Sequence, residues 1–544
     1  MKTIRLPRSH KNARFRILLS QVLAGAIICS TLPPLLAAES SPFQGRAEHV
    51  VLVVWDGMRP DFVTPETTPV LYGLSRQGTV FKNHHAVYVS STEVNATALN
   101  TGMWPEHSGI IANHEYDPAL RRHRAFDVED LEIVRRGDLL TGGFYIREPT
   151  LAEIIQRAGF QTAIAGTKSV ALLLDRSDRR KDDAASHSVD FFKGKALPES
   201  AMSTLIAANA GQLFPTNITY PNVVQDAWTT QALIRGLWQK GAPKFSVLWM
   251  SDPDYSQHNS GPGSPAALGA IASVDHNLGL ILKALEEKGI REKTDVLVVS
   301  DHGFSTIERG VDLAASLNAA GFSAGAVFDN PDMGDVLVVG LGGSVCLYVH
   351  KHDKTTIRRL VRFFQSSDFA GVIFSRVSIS GTFPMERARL DAPNAPDLIV
   401  ALRWNAGTNR FGTPGLFVAE SGKIGRGAHA SLSPFDMHNT LVAAGPDFKA
   451  GFVDGYPTGN ADLAPTILWI LGIKPPDRMD GRIMTEALNS PWPAPTQPKQ
   501  RTVVASHRTK RSNWNQYLKV ETVGSAIYFD EGNSTATHTP ETSK

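Results

Sequence analysis

Cysteine is almost absent from this sequence, which has two, Cys29 and Cys346, among 544 residues. Two thiols allow at most one disulfide, so a fold held together by a disulfide framework is excluded. Neither sign of charge dominates, because 55 Lys and Arg face 53 Asp and Glu, and the positive surplus of a nucleic-acid-binding surface is missing. With 42% hydrophobic residues, the composition is that of a globular protein with a large core.

Acidic residues are missing from positions 1–38, which carry six Lys and Arg. An apolar stretch at 17–36 follows these basic residues and ends at the small residues Ala37 and Ala38. This order is typical of a secretory signal peptide and predicts a periplasmic or secreted protein, with an uncleaved anchor as the alternative. Beyond it, no uninterrupted run of about 18 apolar residues occurs, so we expect no membrane span after cleavage.

Short β-branched runs alternate with helix-like stretches along the rest of the chain. The predicted strands are 49–55, 161–166, 245–250, 295–300 and 397–402, and the predicted helices are 69–77, 150–157, 225–239, 265–288 and 462–471. Nearly continuous apolar strands between amphipathic helices indicate an α/β fold, with a mostly parallel central sheet and helices on both faces. Ligands of such sheets bind beyond the carboxyl ends of the strands.

The chain divides into three parts in this interpretation. A signal peptide (1–38) precedes a main domain (39–490) with insertions near 117–142, 174–219 and 305–420. A C-terminal extension (491–544) contains a predicted β-hairpin that turns at Gly524.

Acidic residues and histidines follow three of the predicted strands. Asp56 follows the first, Asp254 and His258 lie in SDPDYSQH after the third, and the pair Asp301-His302 follows the fourth. Parallel strands would bring these side chains to one edge of the sheet. Carboxylates gathered there without a cation would repel each other, and Asp and His are ligands that Zn²⁺ accepts. The sequence therefore predicts a metal centre.

Three longer stretches carry a family resemblance. Residues 90–113 (SSTEVN, then NTGMWPEHSGIIAN), 425–448 (GRGAHASLSPFDMHNTLVAAGPDF) and 461–488 resemble the alkaline phosphatase superfamily, and within it the type I phosphodiesterase/nucleotide pyrophosphatase branch. The resemblance covers roughly 47–115, 243–304 and 422–488. It implies an alkaline phosphatase-like catalytic domain that hydrolyses phosphodiester or pyrophosphate bonds in small-molecule phosphoester substrates.

The resemblance also implies a site with two zinc ions. Their ligands would divide into two sets: Asp56, Asp301, His302 and the nucleophile Thr92 in one, and Asp254, His258 and His429 in the other. His438 is a rival for the position given to His429, and Mn²⁺ or Fe at one site is an alternative to zinc. Asn113 and the backbone N–H of Glu93 would bind the charged phosphoryl oxygen.

Alternatives stand beside several of these assignments. Thr92 also fits an N-cap of the helix that follows it. Lys168, just after the strand at 161–166, is a candidate for contact with the substrate, and a surface lysine is the alternative. We interpret His84 and His85 as structural residues rather than ligands.

The sequence departs from the nucleotide-cleaving relatives beside the nucleophile. Glu93-Val94 stand where those relatives have an aromatic residue and proline, and Ala96 replaces a histidine. A carboxylate there disfavours an anionic nucleotide or favours a cationic head group. The formylglycine motif of sulfatases is absent, and no arginine lies between Lys82 and Asn113 for the second charge of a monoester. The alternatives are a phosphonate or phosphomonoester hydrolase and a non-catalytic metal-stabilised binding protein.

Overall fold

The strand His49–Trp55 illustrates how the sequence builds the central sheet. Val50, Leu52 and Val54 pack into the core on one side of the sheet. Val51, Val53 and Trp55, which alternate with them, pack into the core on the other side. Because both faces are covered, the strand has no solvent-facing positions to fill with polar residues.

The computed structural model describes residues 45–176, 187–489, 492–508 and 512–538. The predicted signal peptide (1–38) lies outside these residues. The central sheet has nine strands in the order Phe452–Asp454, Thr79–Phe81, Leu441–Ala444, Thr294–Val299, His49–Trp55, Phe245–Met250, Thr162–Gly166, Val189–Phe192 and Lys195–Leu197. Neighbours pair in parallel, except on both sides of Leu441–Ala444 and at the Lys195–Leu197 edge. The predicted α/β class and mostly parallel sheet are confirmed.

Helices cover both faces of this sheet. One face is packed by Thr92–Thr101, Leu131–Thr141, Leu151–Arg157 and Leu463–Ile470. The other is packed by Pro69–Gln77, Met202–Ala208, Val223–Gln231 and Pro265–Glu287. The remaining described α-helices are Pro105–Ser108, Asp254–Ser260, Leu313–Ala319, Lys354–Gln365 and Pro434–Met437. The predicted helix at 225–239 is instead the helix Val223–Gln231 followed by a π-helical turn, Ala232–Leu237.

Two further sheets are built largely from residues 305–420. A six-stranded sheet has the order Ala324–Gly325, Val336–Gly340, Ser344–Val349, Leu398–Leu402, Ala370–Ser375 and Phe383–Pro384. A four-stranded sheet has the order Trp404–Thr408, Pro414–Ala419, Ser305–Gly310 and Gly427–Ala428. The assignment of 397–402 to the central sheet was therefore wrong, because an apolar run specifies burial but not which strands it pairs with.

The C-terminal sheet has three antiparallel strands, Lys499–Arg508, Ser512–Val523 and Ala526–His538. The turn between the last two contains Gly524 at φ 59°. Two short pairs complete the strands, His84–His85 with Thr458–Gly459 and His114–Glu115 with Phe126–Asp127.

One helix among the described residues, Pro265–Glu287, is long and apolar enough to cross a membrane by length and composition alone. The sequence reasoning counted only uninterrupted apolar runs, whereas this helix mixes Asp275 and Asn277 with its apolar residues. Ile271, Val274 and Leu278 pack into the core beside the central sheet, as in a core helix.

Candidate active site

Three neighbouring parallel strands end at the same edge of the central sheet. Val54 pairs with Val299 on one side, and Trp55 pairs with Met250 on the other. The residues that come after these strands therefore emerge side by side, and the backbone N–H of Asp254 donates to the carbonyl of Asp56 at 2.9 Å. The edge predicted to hold the metal centre is thus fixed by strand register.

Two separate groups of Asp and His side chains lie at this edge, each with ligand atoms within 4.8 Å of one another: Asp56, Asp301 and His302 in the first, and Asp254, His258 and His429 in the second. They have the same membership as the two predicted ligand sets. Asp254 begins the helix Asp254–Ser260, which places His258 one turn later on the same face. His429 comes from the four-stranded sheet, just after Gly427–Ala428.

The three histidines are oriented in the same way. Nδ1 of His258 lies 3.0 Å from the carbonyl of Gly427, and Nδ1 of His429 lies 2.9 Å from the carbonyl of Ser90. Nδ1 of His302 lies 2.8 Å from the carbonyl of Gly303. A carbonyl only accepts, so each Nδ1 carries a proton and each Nε2 faces the carboxylates. Such backbone contacts commonly orient metal-binding histidines.

The carboxylates each leave one buried oxygen without a hydrogen-bond partner among the described residues. These atoms are Oδ1 of Asp56, Oδ1 of Asp254 and Oδ2 of Asp301. The other oxygen of Asp56 accepts from Nε1 of Trp249 at 2.8 Å, and that of Asp301 accepts from the Gly57 N–H at 3.0 Å. Buried carboxylate oxygens are rarely left unpaired. The donor set and its free lone pairs therefore fit divalent cations.

The raised pKa values of two aspartates in the first group also fit the binding of a cation. Burial, and then the negative charge of Asp301, raise the pKa of Asp56 well above its usual value. Burial raises the pKa of Asp301 to about 7. These carboxyls would take up protons in the absence of positive charge, and a divalent cation would instead stabilise the ionised form.

Lys168 lies between the two groups and is buried. Its Nζ is 2.9 Å from Oδ2 of Asp56 and 3.0 Å from Oδ2 of Asp254. Burial disfavours the charged forms of both Lys168 and Asp254. The positive charges of Lys168 and His258 nevertheless hold the pKa of the Asp254 carboxyl well below its usual value. The alternative of a surface lysine was therefore wrong, because the strand Thr162–Gly166 delivers the side chain to this edge.

Thr92 is the first residue of the helix Thr92–Thr101, and its N-cap is Ser91. The alternative interpretation of Thr92 as the N-cap was therefore wrong. Its buried hydroxyl lies 3.2 Å from Nε2 of His302, in the first group. A hydroxyl at a helix N-terminus is also close to free backbone N–H groups that favour an anion.

Asn113 and Glu93 meet beside this hydroxyl. The Glu93 backbone N–H donates to Oδ1 of Asn113 at 3.3 Å, so the two predicted phosphoryl-binding groups are neighbours. Burial, and then the negative charge of Glu129, raise the pKa of the Glu93 side chain well above its usual value. The repulsion expected from an ionised carboxylate at this position is thereby reduced.

Sequence reasoning missed Trp249 and Glu129, whereas Lys168 was a candidate site residue and lies at the predicted edge. Trp249 stands inside an apolar strand, where nothing in the sequence distinguishes a hydrogen-bonding indole from a core residue. His84 is structural as interpreted, since it contacts Thr458 and Asn460. Asn460 in turn donates to the backbone carbonyl of Asp301 at 2.6 Å and so supports the first group.

The fold and site together define an alkaline phosphatase-like α/β protein with two adjoining candidate metal-binding groups. The chain belongs to the type I phosphodiesterase/nucleotide pyrophosphatase family, which it matches over residues 50–409.

Individual relatives are distant. The chain is 22% identical to human ectonucleotide pyrophosphatase/phosphodiesterase family member 5 over 280 residues, 51% of this chain and 50% of that protein. It is 20% identical to mouse bis(5'-adenosyl)-triphosphatase over 433 residues, 79% of this chain and 78% of that protein. A solved structure of the murine member 5, an inactive threonine-to-alanine variant in complex with AMP, covers 81% of this chain and all of its own, at TM-score 0.58 and 17% identity. The chain spans half or less of the length of the first curated relatives it matches.

Proposed function

We propose that this protein is an exported hydrolase that cleaves phosphodiester or pyrophosphate bonds, with Thr92 as nucleophile and two zinc ions as cofactors. Asp56, Asp301 and His302, with Thr92, would hold one ion. Asp254, His258 and His429 would hold the other. The catalytic machinery lies within 39–490, and 491–544 is an extension of it.

The observation that carries this proposal is a set of unpartnered carboxylate oxygens and oriented histidines, one of which contacts a hydroxyl. Three buried carboxylate oxygens have no partner among the described residues. The Nδ1–H groups of three histidines donate to backbone carbonyls, which leaves their Nε2 atoms facing the carboxylates. The Thr92 hydroxyl adjoins them through His302 at 3.2 Å. A site built only for stability would have paired these groups internally.

The bound ions would supply a lowered pKa for oxygens that contact them and positive charge opposite the phosphoryl group. In the first step, Oγ1 of Thr92 forms a bond to phosphorus, and the proton of this hydroxyl passes to the leaving oxygen, directly or through water. The bond from phosphorus to the leaving oxygen breaks with its electron pair, and that oxygen leaves as an alcohol or phosphate. The Glu93 N–H and the Asn113 side chain hold a phosphoryl oxygen, and their fixed positions favour the charge that develops on it.

In the second step, water attacks the phosphorus of the phosphothreonine. The bond to Oγ1 breaks, a proton returns to Thr92, and the phosphoryl product leaves. Lys168 keeps its contacts with Oδ2 of Asp56 and Oδ2 of Asp254 in both steps and so holds both carboxylates in place.

The relatives support the cleavage of phosphodiester or pyrophosphate bonds, and they give weaker support for any particular substrate. The murine member 5 structure is of an inactive threonine variant with AMP, and a mouse relative is named for a dinucleoside triphosphate. Glu93-Val94 and Ala96 depart from the nucleotide-cleaving pattern, so the substrate class we propose is a phosphodiester or pyrophosphate of a small molecule rather than a named nucleotide.

Export is proposed from positions 1–38, which have the order of a signal peptide. N-terminal sequencing of the periplasmic or secreted protein should give a start close to residue 39. A mature chain that still begins at Met1 and sediments with membranes would contradict cleavage.

The nucleophile is tested by comparing Thr92→Ala with Thr92→Ser on bis(p-nitrophenyl) phosphate, with zinc supplied. We expect Thr92→Ala to lose on the order of 10³-fold or more in kcat while retaining its zinc, and Thr92→Ser to retain measurable turnover. Turnover like the wild type in Thr92→Ala would refute the assignment. Two bound zinc ions in an inactive wild-type protein, across diesters, p-nitrophenyl phosphate and phosphonoacetate, would favour a non-catalytic binding protein.

A further inference from the structure

A second kind of histidine–carboxylate cluster lies outside the site described above. His85, His438 and Asp530 have one ligand atom each within 4.8 Å of the others, and they share no residue with the two groups at the sheet edge. Nε2 of His438 lies 2.7 Å from Oδ1 of Asp530. The rings of His85 and His438 have centroids 4.4 Å apart. Nothing in the proposed hydrolysis uses these three residues.

His85 carries the decisive feature of the cluster. It is buried, and its Nδ1 lies 3.0 Å from the carbonyl of Thr458, so Nδ1 carries the proton. Nε2 then presents a lone pair, and it has no hydrogen-bond partner within the part of the chain that the structure describes. An unpaired buried acceptor is destabilising unless a donor or a cation contacts it. Nε2 is therefore available to accept from a proton donor or to bind a cation.

The surrounding backbone holds the cluster rigidly. His85 and His438 form an antiparallel β-bridge, and the Asn439 N–H donates to the carbonyl of His84 at 3.2 Å. Asp530 is the extra residue at a β-bulge, since Lys519 pairs with Glu531 and Val520 with Phe529. A bulge redirects a side chain out of the regular pleat. Main-chain structure thus positions both histidines and the carboxylate, in addition to the His438–Asp530 contact.

A fourth ligand atom, a carboxylate oxygen, lies near the cluster. Oε2 of Glu521 lies 4.0 Å from Nε2 of His85 and accepts from Nδ2 of Asn83 at 2.7 Å. Two imidazole nitrogens with one or two carboxylate oxygens form a common tetrahedral donor set for Zn²⁺, whose ligand atoms stand about 3.3 Å apart when each is about 2.0–2.1 Å from the ion. The ligand atoms of His85, His438 and Asp530 lie within 4.8 Å of one another, and the His438–Asp530 distance of 2.7 Å is shorter than the tetrahedral value.

We propose that His85, His438 and Asp530, with Glu521 as the fourth ligand, bind a structural divalent cation of the zinc type. The histidines belong to the main domain, whereas Asp530 and Glu521 stand on the last two strands of the C-terminal sheet. The ion fastens this sheet to the main domain. It adds to direct contacts such as the Gly532 N–H, which donates to the carbonyl of Leu432 at 2.9 Å.

The test is the zinc content of the full mature chain, measured by mass spectrometry after dialysis against micromolar Zn²⁺. The double variant His438→Gln/Asp530→Asn should hold one zinc ion fewer per chain than the wild type. The matched control is His114→Gln/Asp127→Asn, which removes an exposed His–Asp pair of similar length, 2.9 Å. It should leave the zinc content unchanged. Equal zinc content in all three proteins would overturn the proposal, whether or not the hydrolase site holds two ions.

A second measurement covers the case in which the double variant does not fold. Zinc-loaded crystals of the wild type should show an anomalous peak between Nε2 of His85 and the Asp530 carboxylate. Amide hydrogen exchange in Ala526–His538 should also slow when zinc is added. Crystals with zinc at the sheet-edge groups but no peak here would reduce the cluster to a plain His438–Asp530 ion pair, and the proposal would fail.

Discussion

Nζ of Lys168 lies 3.0 Å from Oδ2 of Asp254, inside the protein. The same ammonium lies 2.9 Å from Oδ2 of Asp56, so it contacts one carboxylate from each candidate metal-binding group. In both partners Lys168 takes Oδ2, and Oδ1 is the oxygen left without a partner among the described residues. One side chain therefore selects which oxygen of each aspartate faces the site.

Replacing Lys168 with Met should weaken the site without removing a proposed ligand. Since the ammonium offsets carboxylate repulsion, we expect the metal-free protein to lose about 3 kcal/mol of stability, and zinc to raise the Tm more than in the wild type. Activity should fall about 10–100-fold, as for other residues that orient metal ligands. The measurement is thermal unfolding with and without zinc, beside kcat and KM.

The matched control is Lys283→Met, which removes an exposed lysine paired with Glu287 at 3.7 Å. A Lys168→Met variant with unchanged metal-free stability and a raised KM alone would instead assign Lys168 to substrate contact.

Removing the Asn113 side chain should affect turnover and little else. Its amide stands beside the Glu93 N–H, where a phosphoryl oxygen would gain charge as the nucleophile attacks. We expect Asn113→Ala to lower kcat by about 10²–10³ with a small change in KM. Zinc content and Tm should match the wild type. A loss of less than about threefold would exclude Asn113 from the oxyanion contact.

His429 should be required for metal in the second group. Its Nδ1 is held by the carbonyl of Ser90, and its Nε2 lies 3.7 Å from Oδ1 of Asp254. We expect His429→Ala to bind one zinc ion fewer per chain and to lose most activity, as measured by metal analysis and diester turnover. His276→Ala, at an exposed position of the helix Pro265–Glu287, is the control. Full zinc content in His429→Ala would show that another residue is the ligand at this position.

Stability should fall with rising pH because of Asp454. Burial, and then the negative charge of Glu486, raise the pKa of Asp454 from 3.8 to about 7. The folded state therefore holds a proton that the unfolded state releases. The resulting stabilisation is complete below about pH 4 and is lost as the pH rises to about 7.

Asp454→Asn keeps the acceptor for the Tyr456 N–H and cannot ionise. It should be more stable than the wild type at pH 8, by about 1–3 kcal/mol, and the gain should disappear near pH 4. Urea unfolding across this range measures the difference. A difference that does not change with pH would show that Asp454 titrates near its usual value.

Much of the site could be predicted from sequence because the ligands come directly after strands. The runs that precede Asp56, Asp254 and Asp301 are apolar enough to be buried parallel strands, and parallel strands deliver the residues beyond their carboxyl ends to one edge. His429 depended on the family resemblance, since it lies in the four-stranded sheet, far along the chain from the others. The choice between His429 and His438 could not come from spacing. In the folded chain, His438 lies against Asp530 instead.

The sequence by itself determined the α/β class and the strand-end carboxylates, because both follow from local patterns of apolar and polar residues, whereas Thr92 depended on the family resemblance. Only the tertiary structure decided that Lys168 is buried between Asp56 and Asp254, that Leu398–Leu402 belongs to a second sheet, and that Asp530 meets His85 and His438. These outcomes depend on which distant segments pack together. That packing sets the burial and the charge around each side chain, and it cannot be read from the residues that are adjacent in the sequence.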